Sequence, residues 1–417
     1  MRVLWITNSP IAKHMEMLGT SHGQSGGWMV TSYDALHNVD ELVLGVAATY
    51  NGDDIKKEYD DKNVFYLVPL IGDRATDISG DEKNQSFWRK VIEDFRPDVI
   101  HLWGTEFSHG LCALKVAKDI PAVAYIQGLM SQISYHYLAQ ISLKDQIKST
   151  TLRDVYLRQC YWNQAKKQEN RVQIEQEILK RVKAVIVENE WCANNCRLAN
   201  RNLAVYKSLL PINPVFAKYD WDISSIKRHS IFTVAGNNPH KGFHMLLKAL
   251  AIVVKYYPDT VVYIPGAVTR SNERSSYHKY TQSLIKKYGL TSNLQYLGKL
   301  TPEDMAKQMK SCNVFVMPSS IENHSSTLIE AMMVGAPSVS SNVGGISEYL
   351  QNGVNGFLYR FEEYQTAATL IMDVFENREL AVSLSNNARI AARKDRLSID
   401  LRNDFSVCYN MIVGGER

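Results

Sequence analysis

Residues 313–345 read NVFVMPSSIENHSSTLIEAMMVGAPSVSSNVGG, and the way this stretch divides decides the fold. Val314-Phe315-Val316-Met317 is an apolar run the length of a buried strand. Pro318 and the serines after it end that strand. Ser325, Ser326 and Thr327 all suit a helix N-cap, and Thr327-Leu328-Ile329-Glu330 has capping-box spacing. The helix so predicted stops near Val334, with Gly335 as its C-cap and Pro337 soon after. Residues 337–341 read as the next strand, and Gly344-Gly345 permits a close turn before another helix.

Strand, polar loop and helix N-terminus together suit an anion, because the first turn of a helix carries free N–H groups and about half a positive charge. Glu322 in the loop and Glu330 one turn into the helix flank that point. Carboxylates repel phosphate but accept hydrogen bonds from hydroxyls. A nucleotide sugar, with phosphates in its middle and hydroxyl-rich sugars at both ends, satisfies both facts. Taken singly, Glu330 reads equally well as a capping-box acid and Glu322 as a solvated loop charge. Taken together, Glu322 and Glu330 with seven residues between them, then Ala331-Met332, Gly335, Pro337 and Gly344-Gly345, resemble the E-x7-E signature of glycosyltransferase family 4 and its retaining GT-B relatives. The resemblance implies an α/β chain of the GT-B fold, with two Rossmann-like domains facing each other across a cleft.

The 417 residues suffice for two domains. A net charge of +4 is too small to argue for nucleic acid, and no such partner is expected. Cys192 and Cys196 have no second pair or histidine set to complete a zinc site, so no metal is expected, and free thiols in a reducing compartment account for the six cysteines. The opening MRVLWITNSP does not read as a signal peptide, and no segment reaches the ~20 apolar residues of a membrane span. The expected location is cytoplasmic, with peripheral contact at the inner membrane face left open.

The expected division is an acceptor-side domain over 1–210, a nucleotide-sugar domain over 211–395, and a final helix over 396–417 that crosses back to the first domain, as GT-B chains do. In the first half, buried-type strands at 2–7, 41–47, 64–70, 98–103 and 122–126 alternate with helical stretches, which argues for a parallel sheet. Ligands of such sheets sit beyond the carboxyl ends of the strands. The loops of interest are therefore Gly26-Gly27, the run from Gly104 through Glu106 to His109, and Gln127-Gly128. By the resemblance, Gly26 and Gly27 face the sugar and acceptor. Many family members carry a histidine where this chain has Gln127; the GTE and QGL segments resemble a subgroup of bacterial surface-polysaccharide glycosyltransferases. Gln127 cannot act as a base near neutrality, which leaves Glu106 and His109 as acceptor-side candidates.

Residues 135–183 read as a helical insertion of the first domain. Between 136 and 183 ten Lys/Arg face five Asp/Glu, with Tyr137, Tyr156, Tyr161 and Trp162 interleaved. The favoured expectation is a solvated insertion whose aromatics pack on the first domain; the alternative is a basic, amphipathic surface for anionic lipid.

Two prolines in residues 209–214 mark the join. Asp220-Trp221-Asp222 is discounted as a metal motif, because it lacks strand context. Residues 236–242 place a glycine-rich turn and Lys241 before a helix, a fair phosphate cradle. The resemblance makes Lys241 the lysine that holds the donor diphosphate, leaves Asn237 where a second cation is usual, and sets Gly298 where backbone meets the base. It further implies catalytic roles for Glu322 and Lys241 and donor binding by Glu330, Asn323, Ser326, Thr327, Gly242 and Gly298. The function implied is retaining transfer of a sugar, from a UDP- or GDP-linked donor and without metal or other cofactor, to a hydroxyl of a glycan or lipid-linked acceptor in cell-surface polysaccharide synthesis. A non-catalytic sugar-nucleotide-binding partner and a GT-B epimerase stay open. No G-x-G-x-x-G follows the first strand, against a nicotinamide enzyme.

Overall fold

Strand β1 (Arg2–Thr7) shows how the apolar runs are used: Leu4 and Ile6 enter one buried cluster, Val3 and Trp5 another. Side chains alternate across a strand, so a continuous apolar run means helices cover both faces of the sheet. The structure, a computed structural model, describes residues 1–19, 27–72, 82–236, 238–266 and 275–414. Gly26 and Asn237 lie outside the described residues.

The chain forms two compact units. The first holds residues 1–134, 167–211 and 398–417; the second holds 135–166 and 212–397. In the first, β1 sits between β2 (Val43–Tyr50) and β5 (Val99–Trp103). Next come β4 (Asn63–Pro69) beside β2, and β6 (Ala122–Tyr125), β7 (Ala184–Val187) and β8 (Ala204–Lys207) beyond β5, all parallel. β3 (Lys56–Asp60) closes one edge antiparallel to β4. Its sequence KKEYD carries no apolar run, because an exposed edge strand has no buried face to encode.

In the second unit the order is β11 (Leu294–Gly298), β10 (Val261–Pro265), β9 (Ser230–Phe232), β12 (Val314–Met317), β13 (Ser338–Ser341), β14 (Phe357–Tyr359), all parallel. Both sheets therefore reverse direction of winding beside their first strand. The crevice beyond the carboxyl ends there is where open α/β sheets take ligands. It falls beside Asn8 and the 104–108 loop in the first unit, and at residues 233–236, 238–242 and 318–325 in the second.

The last helix, Leu401–Gly414, packs in the first unit. The Trp5 indole N–H donates to the Tyr409 hydroxyl at 3.2 Å, and that hydroxyl lies 2.6 Å from Nδ1 of His101. Burial drives His101 down to about 3, so the ring is neutral and Nδ1 accepts from Tyr409.

The helical insertion divides differently from the expectation. Residues 135–166 group with the second unit, not the first. Ile141 and Tyr161 enter the second unit's core, the buried His244 Nε2 meets the Ala139 carbonyl at 2.9 Å, and the Asp154 carboxylate accepts the Ser276 N–H at 2.6 Å. The aromatics thus do not all pack on the first domain: Tyr161 is in the second unit's core, while Tyr156 and Trp162 are exposed. Helix-prone residues between two sheets do not state which sheet they will cover.

Candidate functional site

Three loops of the second unit interlock at its switch point. Gly242 ends the turn Pro239–Lys241 and caps the helix Phe243–Tyr256 with φ +70°. A Cβ there would overlap the Pro318 carbonyl. The Ser320 N–H donates to the His240 carbonyl at 2.7 Å. Gly344, at φ +56°, lies against the Glu322 carbonyl so closely that a Cβ has no room, and the Gly345 N–H donates to the same carbonyl at 3.2 Å. These glycines let backbone meet backbone, which fixes the Glu322 loop from both sides.

On that scaffold the Lys241 ammonium reaches Oε1 of Glu322 at 2.7 Å. Burial alone would raise the Glu322 carboxyl, but the Lys241 charge and hydrogen bonds from Lys241 and Ser319 hold it below the usual range. The pair is ready made: a cation with its side chain 37% exposed, and an acid only 11% exposed.

The helix Ser326–Val334 begins beside them, with Ser325 as N-cap accepting from the Leu328 N–H. The cap is Ser325 and not Thr327, so the capping-box reading of Glu330 is set aside. Ser326 and Thr327, half-buried, open the helix, and their N–H groups donate to no protein acceptor among the described residues. Glu330 stands about 6 Å further along the axis. Glu330 is half-buried and its carboxylate has no hydrogen bond or ion pair among the described residues; desolvation raises it to about 7. A partly desolvated carboxylate without a partner suits a ligand that brings its own donors.

Asn323 is buried in the same loop. Next to it, the His324 ring lies tilted against Tyr349 with centres 4.5 Å apart, and 2.8 Å from the Arg396 guanidinium; burial and that cation keep it neutral, well below its ordinary range. Sequence reasoning missed His324 and Ser319, since nothing local in IENH points to an arginine seventy-two residues away. Gly298 ends β11 at φ +70°, at the outer edge of the sheet, and its carbonyl accepts the Gly266 N–H at 2.7 Å. Asp220 pairs with Arg393 at 2.7 Å and Trp221 donates to the Cys312 carbonyl, so Asp220-Trp221-Asp222 ties elements together.

In the first unit, Glu106 is buried at the switch point with Oε2 2.5 Å from the Asn8 amide, and burial raises its carboxyl. Gln127 donates to the Trp103 carbonyl at 3.0 Å, bridging the ends of β5 and β6. His109 is not at the surface of that edge: it is buried in the helix Ser108–Val116, stacked between Phe107 and Trp88. The expected glycine pair is half described; Gly27 opens the helix Gly27–Leu36.

Comparison with known proteins extends the picture. Residues 223–391 match the family model for glycosyl transferases group 1. A D-inositol 3-phosphate glycosyltransferase of Corynebacterium urealyticum is 24% identical over 148 residues, 36% of this chain and 35% of that protein. The chain spans under half the length of the first curated relatives it matches. Sucrose-phosphate synthase from Thermosynechococcus elongatus superposes with a TM-score of 0.73 at 15% identity, over 99% of this chain and 100% of that one. Anabaena HepE, solved in complex with UDP-glucose, gives 0.66 at 16% identity, over 99% and 100%. The likeness shows the GT-B fold.

Proposed function

We propose that this chain, a GT-B protein carrying a group 1 glycosyl transferase domain over residues 223–391, is a retaining glycosyltransferase that moves a sugar from a nucleotide diphosphate donor to a hydroxyl of a glycan or lipid-linked acceptor in cell-surface polysaccharide synthesis. One observation carries the reading: the Lys241–Glu322 pair, the open N–H groups of Ser326 and Thr327 and the unpartnered Glu330 all belong to the carboxyl-end loops and first helical turns of one switch point.

Each group then has a task. Lys241 and the helix N-terminus take the donor diphosphate and stabilise the charge that develops on it as the bond to the sugar breaks. They stand in for a metal. Glu330 accepts hydrogen bonds from ribose hydroxyls. Glu322, released from Lys241 when the diphosphate arrives, orients the transferred sugar, with Asn323 beside it. Gly242 lets backbone come close to the phosphates, and Gly298 is assigned to the base. The acceptor oxygen bonds to the anomeric carbon on the face the phosphate leaves, and its proton passes to the departing phosphate oxygen. In the first unit, Glu106 and Gln127 stand at the carboxyl edge of the sheet and are assigned to the acceptor side.

The experiment is a thermal-shift panel of UDP-, GDP- and ADP-sugars followed by transfer assays with the stabilising donor. UDP-glucose leads the panel because HepE was solved with it. Wild type is expected to release nucleotide and form an anomer-retained glycoside, with Glu322→Ala at least about a hundredfold slower. Nucleotide binding with no transfer by wild type on any acceptor would favour the non-catalytic partner, and a free epimerised sugar the epimerase.

A further inference from the structure

Residues 143–158 expose an apolar face that the donor site does not use. The helix Leu143–Ser149 leaves Leu143 at 67% and Ile147 at 61% exposure, and the helix Leu152–Tyr156 leaves Leu152 at 90% and Tyr156 at 86%. Each pair is four residues apart, hence on one side of its helix. The opposite sides are anchored in the second unit. Ser149 meets the Tyr161 hydroxyl at 3.3 Å, the Thr151 N–H donates to the Ser276 hydroxyl, and Asp154 caps the first turn of the helix Ser276–Tyr288. Both short helices thus rest by their buried sides on the second unit, and four large apolar side chains at such exposure within one short segment mark an interaction surface.

Charge identifies it. Lys144, Lys148 and Arg158 are exposed on the same segment and pair with no acid among the described residues. Of the two acids in the segment, Asp154 is buried on Ser276, and Asp145 accepts from the Ser142 hydroxyl at its own helix start. The water-facing side of this segment therefore carries apolar side chains together with cations that no acid of the described residues neutralises. A second copy of this face would bring like charges together, which disfavours self-association. A bilayer with anionic headgroups accepts the aliphatic side chains at the acyl boundary and the cations at the phosphates. We propose that residues 143–158 dock the protein on an anionic lipid surface. The basic stretch from 167 onward is not part of this face; Ile174, Ile178 and Leu179 of the helix Tyr161–Arg181 are buried in the first unit's core.

The docking stands apart from the donor site and is tested apart from it. The purified full chain is sedimented with vesicles of phosphatidylcholine, alone or with about a third phosphatidylglycerol. Wild type is expected to partition about tenfold more strongly onto the anionic vesicles, and less so as salt is raised. Ile147→Asp/Leu152→Asp and Lys144→Glu/Lys148→Glu/Arg158→Glu should each lose about tenfold or more of that partition. Both should keep the wild-type thermal shift with nucleotide sugar and the wild-type melting temperature, which separates lost docking from lost folding and from failure of the donor site. The proposal is overturned if wild type ignores anionic vesicles, if either variant binds them as wild type does, or if wild type proves a dimer that the aspartate variants convert to monomers while none binds lipid.

Discussion

Glu330 is the residue whose environment speaks most directly. A carboxyl that burial raises from its ordinary value of 4.5 to about 7 opposes folding above the unfolded value, fully so once the pH exceeds the folded one. Glu330→Gln is therefore expected to stabilise the protein by on the order of 1–3 kcal/mol at pH 8 and by almost nothing at pH 4, measured by denaturant midpoints. In the proposed function the ribose hydroxyls bind the ionised form, so donor binding should release a proton. Affinity for a nucleotide sugar is expected to rise as pH rises through about 7, and Glu330→Gln should bind more weakly with a flat profile, read by calorimetry. Lys241 and Glu322 behave oppositely. The depressed Glu322 carboxyl contributes stability that is present above the usual carboxylate range and lost as pH falls through its folded value. Lys241→Ala should cost about 1–2 kcal/mol at pH 7, discounted for the half-exposed lysine, with the deficit shrinking in acid. The same variant should lose nucleotide binding. Unchanged binding in Lys241→Ala would remove the diphosphate from this loop.

At the scale of the element, the glycines carry the argument. Gly242 and Gly353 both have positive φ, but only Gly242 also meets a carbonyl where its Cβ would stand. Gly353→Ala should cost about 1 kcal/mol of left-handed strain, and Gly242→Ala or Gly344→Ala about 2–4, because the 238–242 and 342–346 segments must also move off the Pro318 and Glu322 backbone. Melting curves of the three variants separate the two cases, and the latter two should lose donor binding as well. The helix beside them was legible in sequence to within a residue or two: strand, serine cap, Gly335 and Pro337 all sit where local propensity puts them. The partner of the cap was not, since Ser325, Ser326 and Thr327 are chemically equivalent until the loop before them is placed.

On the scale of the whole molecule, the last helix closes the first unit through Tyr409. Tyr409→Phe leaves the buried Trp5 N–H without its acceptor and is expected to cost about 1–3 kcal/mol, seen in chemical denaturation, with donor binding in the second unit unchanged. The strand Val314–Met317, and the loop and helix after it that carry Glu322 and Glu330, could be read from the chain alone, because buried parallel strands are apolar throughout and the polar loop and cap follow them directly. The edge strand Lys56–Asp60, the burial of His109, the Arg396 contact to His324 and the grouping of residues 135–166 with the second sheet could not. Each depends on which distant surface a segment covers. Local patterning records how far a residue is from water and what the backbone can do at that point, and this sufficed for two doubly wound sheets and for the loop that sets Lys241 beside Glu322. Which side of which sheet a polar helix lies on, and which cation comes to stand by which ring, is decided by contacts between residues far apart in the chain, and only the folded structure holds those.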